Sequence, residues 1–68
     1  MKLYDVVFAI RKLSPKVPKG SKGTVLMIYS PTDLEVEFVD TDGATLDVVT
    51  VSRIDIEKYQ PDESASSK

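Results

Sequence analysis

The chain contains no cysteine, no histidine and no tryptophan. Without cysteine there is no disulfide staple and no thiolate metal site. Without histidine the commonest general base and the commonest metal ligand are both missing. No metal, no cofactor and no enzymatic activity are therefore expected. No stretch approaches the roughly 20 consecutive apolar residues of a membrane helix, so no membrane association is expected. Met1-Lys2-Leu3-Tyr4-Asp5 has no long apolar run behind its lysine. A secretory signal is not expected there, and a cytoplasmic location is the default expectation.

At 68 residues the chain has room for one domain, expected over residues 1–59. A domain of this size buries only about 60% of its unfolded surface. A single core then supplies a net stability of roughly 3–5 kcal/mol. The net charge of −2 hides an asymmetry. Residues 1–23 carry six lysines and arginines against one acid, a balance of +5, whereas residues 24–68 carry three against ten, a balance of −7. Such a split orients encounters with charged partners over a range of about 8 Å in physiological salt.

The most informative stretch is Gly23 to Phe38, GTVLMIYSPTDLEVEF. Thr24, Val25, Leu26, Ile28 and Tyr29 are residue types that fit a pleated surface. Ser30-Pro31-Thr32-Asp33 has turn chemistry: proline presets φ, and Ser and Asp bond nearby backbone. Leu34-Glu35-Val36-Glu37-Phe38 alternates with period two. Leu34, Val36 and Phe38 then share an inner face, with Glu35 and Glu37 on the other. A slip of one residue would bury both glutamates, so the register is strongly specified.

Taken in order, Leu3–Ile10 is a dense apolar run expected to form the first strand, with its in/out phase left open. Arg11–Ser21 is expected to be a long loop, because Pro15 and Pro18 disrupt helices and central strands. Leu13 and Val17 are expected to tuck onto the core. Gly20 and Gly23 suit a turn and a close backbone approach. They lack the remaining features of a phosphate-binding loop, including a following helix N-terminus. Asp42-Gly43 marks a second hairpin turn. Thr45–Ser52 is the fourth strand, with Val49 and Val51 inward and Leu46 over one end of the core. Arg53-Ile54-Asp55 suits one 3-10 turn, and Ile56–Tyr59 a short last strand. Ile54 and Ile56 are expected to close the core. The polar stretch from residue 60 to 68 is expected to be a disordered tail.

Five short strands, one long early loop and a 3-10 turn before the last strand make an all-β, small five-stranded Src-homology-3-like barrel the expected fold. An oligonucleotide-binding barrel is the alternative, but it needs a helix for which no periodicity exists here. Leu3-Tyr4-Asp5-Val6-Val7, Gly20-x-x-Gly23-Thr24-Val25, Glu35-Val36-Glu37-Phe38-Val39-Asp40, Asp42-Gly43 and Val49-Thr50-Val51 together resemble a family of small bacterial and archaeal proteins of unknown function. That family is marked by its Glu-Val-Glu-Phe motif. The resemblance spans about residues 1–59. It implies a stand-alone domain without established activity, with some genes beside a partner gene in an arrangement like toxin–antitoxin or immunity pairs. More distantly, Gly20-x-x-Gly23-Thr24-Val25 and Ile28 are similar to KOW-type barrels of ribosomal and transcription proteins and to the barrel of nitrile hydratase β subunits. Leu3-Tyr4-Asp5 also resembles part of the signalling Src-homology-3 signature. Those domains grip polyproline with a tryptophan, and this chain has none.

Glu35 and Glu37 lie about 7 Å apart along one strand face. That is within the roughly 5–9.5 Å of a glycosidase carboxylate pair, but a convex sheet face offers no cleft. Ca²⁺ needs six to eight converging oxygens, and a strand splays Glu35, Glu37, Asp40 and Asp42 apart. A solvated face is the simpler reading of both patterns. The functional expectation is a non-enzymatic binding module, a protein–protein adaptor or an inhibitor- or antitoxin-like partner. It would act through Glu35, Glu37, Asp40 and Asp47, with another protein, encoded nearby, as the partner. The alternative is an RNA-associated barrel of KOW type, binding nucleic acid through Arg11, Lys12, Lys16, Lys19 and Lys22.

Overall fold

A computed structural model describes residues 1–60. The expected disordered tail falls, apart from Gln60, outside the described residues. Among the described residues, five antiparallel strands form one sheet: β1 (Val6–Ala9), β2 (Lys22–Ile28), β3 (Asp33–Val39), β4 (Thr45–Ser52) and β5 (Ile56–Lys58). A 3-10 turn, Arg53–Asp55, joins β4 to β5. The strand order is β4-β3-β2-β1-β5. Among the described residues no helix is long and apolar enough to cross a membrane.

The alternation in β3 does what its period requires. Leu34, Val36 and Phe38 are fully buried, while Glu35 and Glu37 face outward and are half-buried. Val7 and Ala9 of β1, Val25 of β2, Val51 of β4 and Ile56 of β5 meet them in one apolar cluster. Val17 of the long loop is also fully buried, and Leu13 packs against the same cluster. Ser14 and Val17 form a bridge that folds this loop back on itself, as the isolated apolar residues in a Pro-rich stretch require.

Two bulges adjust the strand phases. In β2, Val25 opposes Val36 but Met27 opposes Glu35, leaving Leu26 as an extra residue. Met27 is thereby turned outward and Ile28 inward. In β4, Asp47 opposes Phe38 while Thr45 opposes Val39, and Leu46 is the extra residue. Simple alternation would put Leu46 on the outer face; the bulge lets it pack on the core beside Val49.

Two expectations are corrected. The first strand covers Val6–Ala9 rather than Leu3–Ile10, because Leu3 and Tyr4 form a turn. The Asp5 carboxylate accepts from Lys2 N–H at 2.8 Å, a local bond that competes with strand pairing, and Tyr4 takes φ +66°. At the other end Ile10 N–H still donates to Asp55 C=O in the β1–β5 register, but Asp55 belongs to the 3-10 turn and the strand stops there. Ile56 closes the core as expected, but Ile54 is 79% exposed because the 3-10 turn projects it outward. The expected all-β, five-stranded fold with one 3-10 turn is what the described residues form, and among them no ladder joins β4 to β5. These two strands share the interior through Val51 and Ile56, and β4 keeps an open backbone edge.

Candidate functional site

The outer face of the sheet is ordered by register. One row sets Glu35 between Met27 and Thr50, and the next sets Glu37 between Thr24 and Val48. A third runs from Glu57 through Phe8 and Lys22 to Val39. Directly opposed residues of an antiparallel pair point to the same side, so the two glutamates stand side by side in mid-sheet. Exposed Met27, Tyr29 and Val48 surround them.

Each glutamate is held by a hydroxyl. Tyr29 O–H donates to Glu35 Oε1, and Thr45 O–H donates to Glu37 Oε2 at 2.5 Å. Neither carboxylate has a cation within salt-bridge distance among the described residues. Both are thus oriented, with no countercharge beside them among the described residues. The bond to Glu35, with some desolvation and the carboxylate's charge, pushes the Tyr29 phenol above its ordinary value of 10.0. Because the folded value is raised, the contribution of this bond is present below the ordinary tyrosine range and fades as pH rises through the folded value. A residue-resolved NMR titration of Glu35→Ala is expected to bring Tyr29 ionisation down toward that ordinary value. An unchanged titration would mean that the bond does not form.

The other two expected acidic residues are occupied by their own chain. Asp40 Oδ1 accepts from Asp42 N–H at 2.8 Å and Ala44 N–H at 3.0 Å, which shapes the turn that Gly43 completes at φ +87°. Asp47 stands opposite Phe38, not among the outward residues. It accepts from Ser14 O–H at 3.1 Å and Val48 N–H at 2.9 Å. The structure therefore brings Glu35 and Glu37 together and sets Asp40 and Asp47 apart from them.

The basic set divides too. Arg11 pairs with Asp55 at 2.7 Å and ties the long loop to the 3-10 turn. Lys12, Lys16, Lys19 and Lys22 are exposed, with no carboxylate within salt-bridge distance among the described residues. Lys19 and Lys22 line a groove of about 700 Å³ with Phe8, Val39, Asp40 and Leu46. A smaller cleft of about 220 Å³ adjoins it through Phe8 and Lys22 and adds Val6 and Tyr59. Phe8 and Tyr59 meet edge to face with ring centroids 5.9 Å apart. Sequence reasoning did not single out this groove. Its one available signal, the outward phase of Phe8, depends on the unassigned phase of β1.

Among the described residues no three acids gather to hold a metal ion. A family model described as Domain of unknown function (DUF4926) matches residues 3–58. No curated protein and no solved structure matches the chain. The match covers the whole sheet, the candidate face included, and the chain belongs to the DUF4926 family.

Proposed function

We propose that this domain is a non-catalytic protein-binding module that docks a partner on the outer sheet face around Glu35 and Glu37. The observation that carries the reading is the paired carboxylates, each oriented by a hydroxyl and ringed by exposed Met27, Tyr29 and Val48. Preoriented charge beside apolar area lowers the ordering cost of binding, and complementary charge speeds encounter and selects the partner. The fitting partner is a protein with a basic, partly apolar surface, consistent with the inhibitor- or antitoxin-like role that the sequence resemblance implies. Asp40 and Asp47 support the scaffold in this reading.

The test is capture from the native cell with tagged protein, with and without nuclease, beside a Glu35→Lys/Glu37→Lys variant. Reversal of these two outward-facing, half-buried charges is expected to leave the domain folded, at a cost of about 1–2 kcal/mol for the two hydroxyl bonds lost. The wild type is expected to hold a nuclease-resistant protein that the variant releases. Retention by a folded variant would reject this face.

A second reading has one observation in its favour. Lys19 and Lys22 share a continuous groove with Phe8 and, through the adjoining cleft, Tyr59. Cations beside aromatic rings are the elements of single-stranded RNA binding. Capture would then be lost with nuclease, and binding would weaken steeply with salt. Absence of any RNA mobility shift at low salt would eliminate this reading.

A further inference from the structure

β4 pairs with β3 along one edge, and among the described residues no strand pairs with the other. Its side-chain hydrogen bonds show which amides face that open edge. Val48 N–H donates to Asp47 Oδ1 at 2.9 Å, and Ser52 N–H donates to Asp55 Oδ2 at 3.0 Å. Alternate residues of an antiparallel strand bond the same neighbour. The amides of Val48, Thr50 and Ser52 therefore point away from β3, and the chain's own carboxylates occupy two of the three. Both carboxylates are braced by the long loop. Ser14 O–H donates to Asp47 Oδ2 at 3.1 Å, and Arg11 Nε–H donates to Asp55 Oδ1 at 2.8 Å.

This edge needs a guard. Thr45–Ser52, TLDVVTVS, has no proline and no lysine, and its one charge is Asp47. An uncharged Val- and Thr-rich edge is a template for another strand. The strand it fits best is its own copy. Antiparallel pairing about Thr50 is self-complementary under a two-fold axis and opposes Val48 of each copy to Ser52 of the other. Those are the amides that the carboxylates take up.

We propose that Asp47 and Asp55 are edge guards that keep β4 from pairing with a second copy of this chain. Asp55 also caps the 3-10 turn and pairs with Arg11, so Asp47 is the guard that mutation can remove cleanly. Sedimentation equilibrium is expected to find wild type monomeric. Asp47→Val is expected to self-associate about tenfold more tightly or better, the scale of a backbone hydrogen bond made available on each copy. Adding Thr50→Pro, which removes the central amide, should reverse this. Asp47→Asn keeps an acceptor for Val48 and should stay monomeric, as should Ser14→Ala. Amide exchange on wild type needs no variant: Val48 and Ser52 should exchange more slowly than Thr50. A wild type already paired along β4, a folded Asp47→Val that stays monomeric, association indifferent to Thr50→Pro, or a Val48 amide as fast as that of Thr50 would each overturn the proposal.

Discussion

Replacing Phe38 with alanine is expected to leave most of the chain unfolded at 25 °C. Phe38 is the largest fully buried side chain and sits at the end of β3, the strand flanked by both β2 and β4. Truncating a buried phenylalanine costs about 3–5 kcal/mol, part from lost transfer energy and part from the cavity left behind. A core of this size supplies roughly the same amount in total. The loss is therefore comparable to the whole stability, not a fraction of it. Urea titration followed by circular dichroism measures it directly. A cooperative transition with a midpoint near wild type would mean that the interior lies elsewhere.

Gly23→Ala is expected to lower stability by about 3 kcal/mol, the upper end of overpacking penalties. Alanine would ordinarily gain about 0.5–1 kcal/mol over glycine in a strand. Here a Cβ would stand 2.6 Å from Val36 Cγ1 and 2.8 Å from Phe38 Cδ1. Both neighbours are fully buried and stiff, so neither yields cheaply. The steric cost wins, and the melting temperature is expected to fall by roughly 10–20 °C. Gly20 is the control: its Cβ would meet nothing within 4 Å, and only its φ of +91° resists substitution. Gly20→Ala is expected to cost about 1–2 kcal/mol through that backbone conformation alone. Equal losses at both positions would deny the close contact beneath Gly23.

The elements whose chemistry is local were readable before any coordinates. The Leu34-Glu35-Val36-Glu37-Phe38 alternation, the Ser30–Asp33 and Asp42-Gly43 turns and the 3-10 turn at Arg53–Asp55 each depend on neighbouring residues. What escaped depends on contacts between distant residues. The short β1 follows from the Lys2–Asp5 turn and from the 3-10 turn that stands opposite Ile10. The exposure of Ile54 follows from the direction of a three-residue turn. The bulges at Leu26 and Leu46 carry no glycine to announce them. The same holds for the site. Period two placed Glu35 and Glu37 together, but it did not reveal the hydroxyl clamps from Tyr29 and Thr45. Nor did it show that Asp47 is held by Ser14, 33 residues earlier in the chain.

In the proposed reading the outer face takes a partner and the β4 edge is kept from pairing. Hydrogen bonds within the chain take up two of the three edge amides, while hydroxyls orient the Glu35 and Glu37 carboxylates and no cation pairs with them among the described residues. The measurement that tests this most directly is an amide chemical-shift map of the domain titrated with its captured partner. The largest changes are expected at Met27, Tyr29, Glu35, Glu37 and Val48, with Lys12, Lys16, Lys19 and Lys22 nearly still. Changes centred on Lys19, Lys22 and Phe8, with the glutamate rows unmoved, would contradict it.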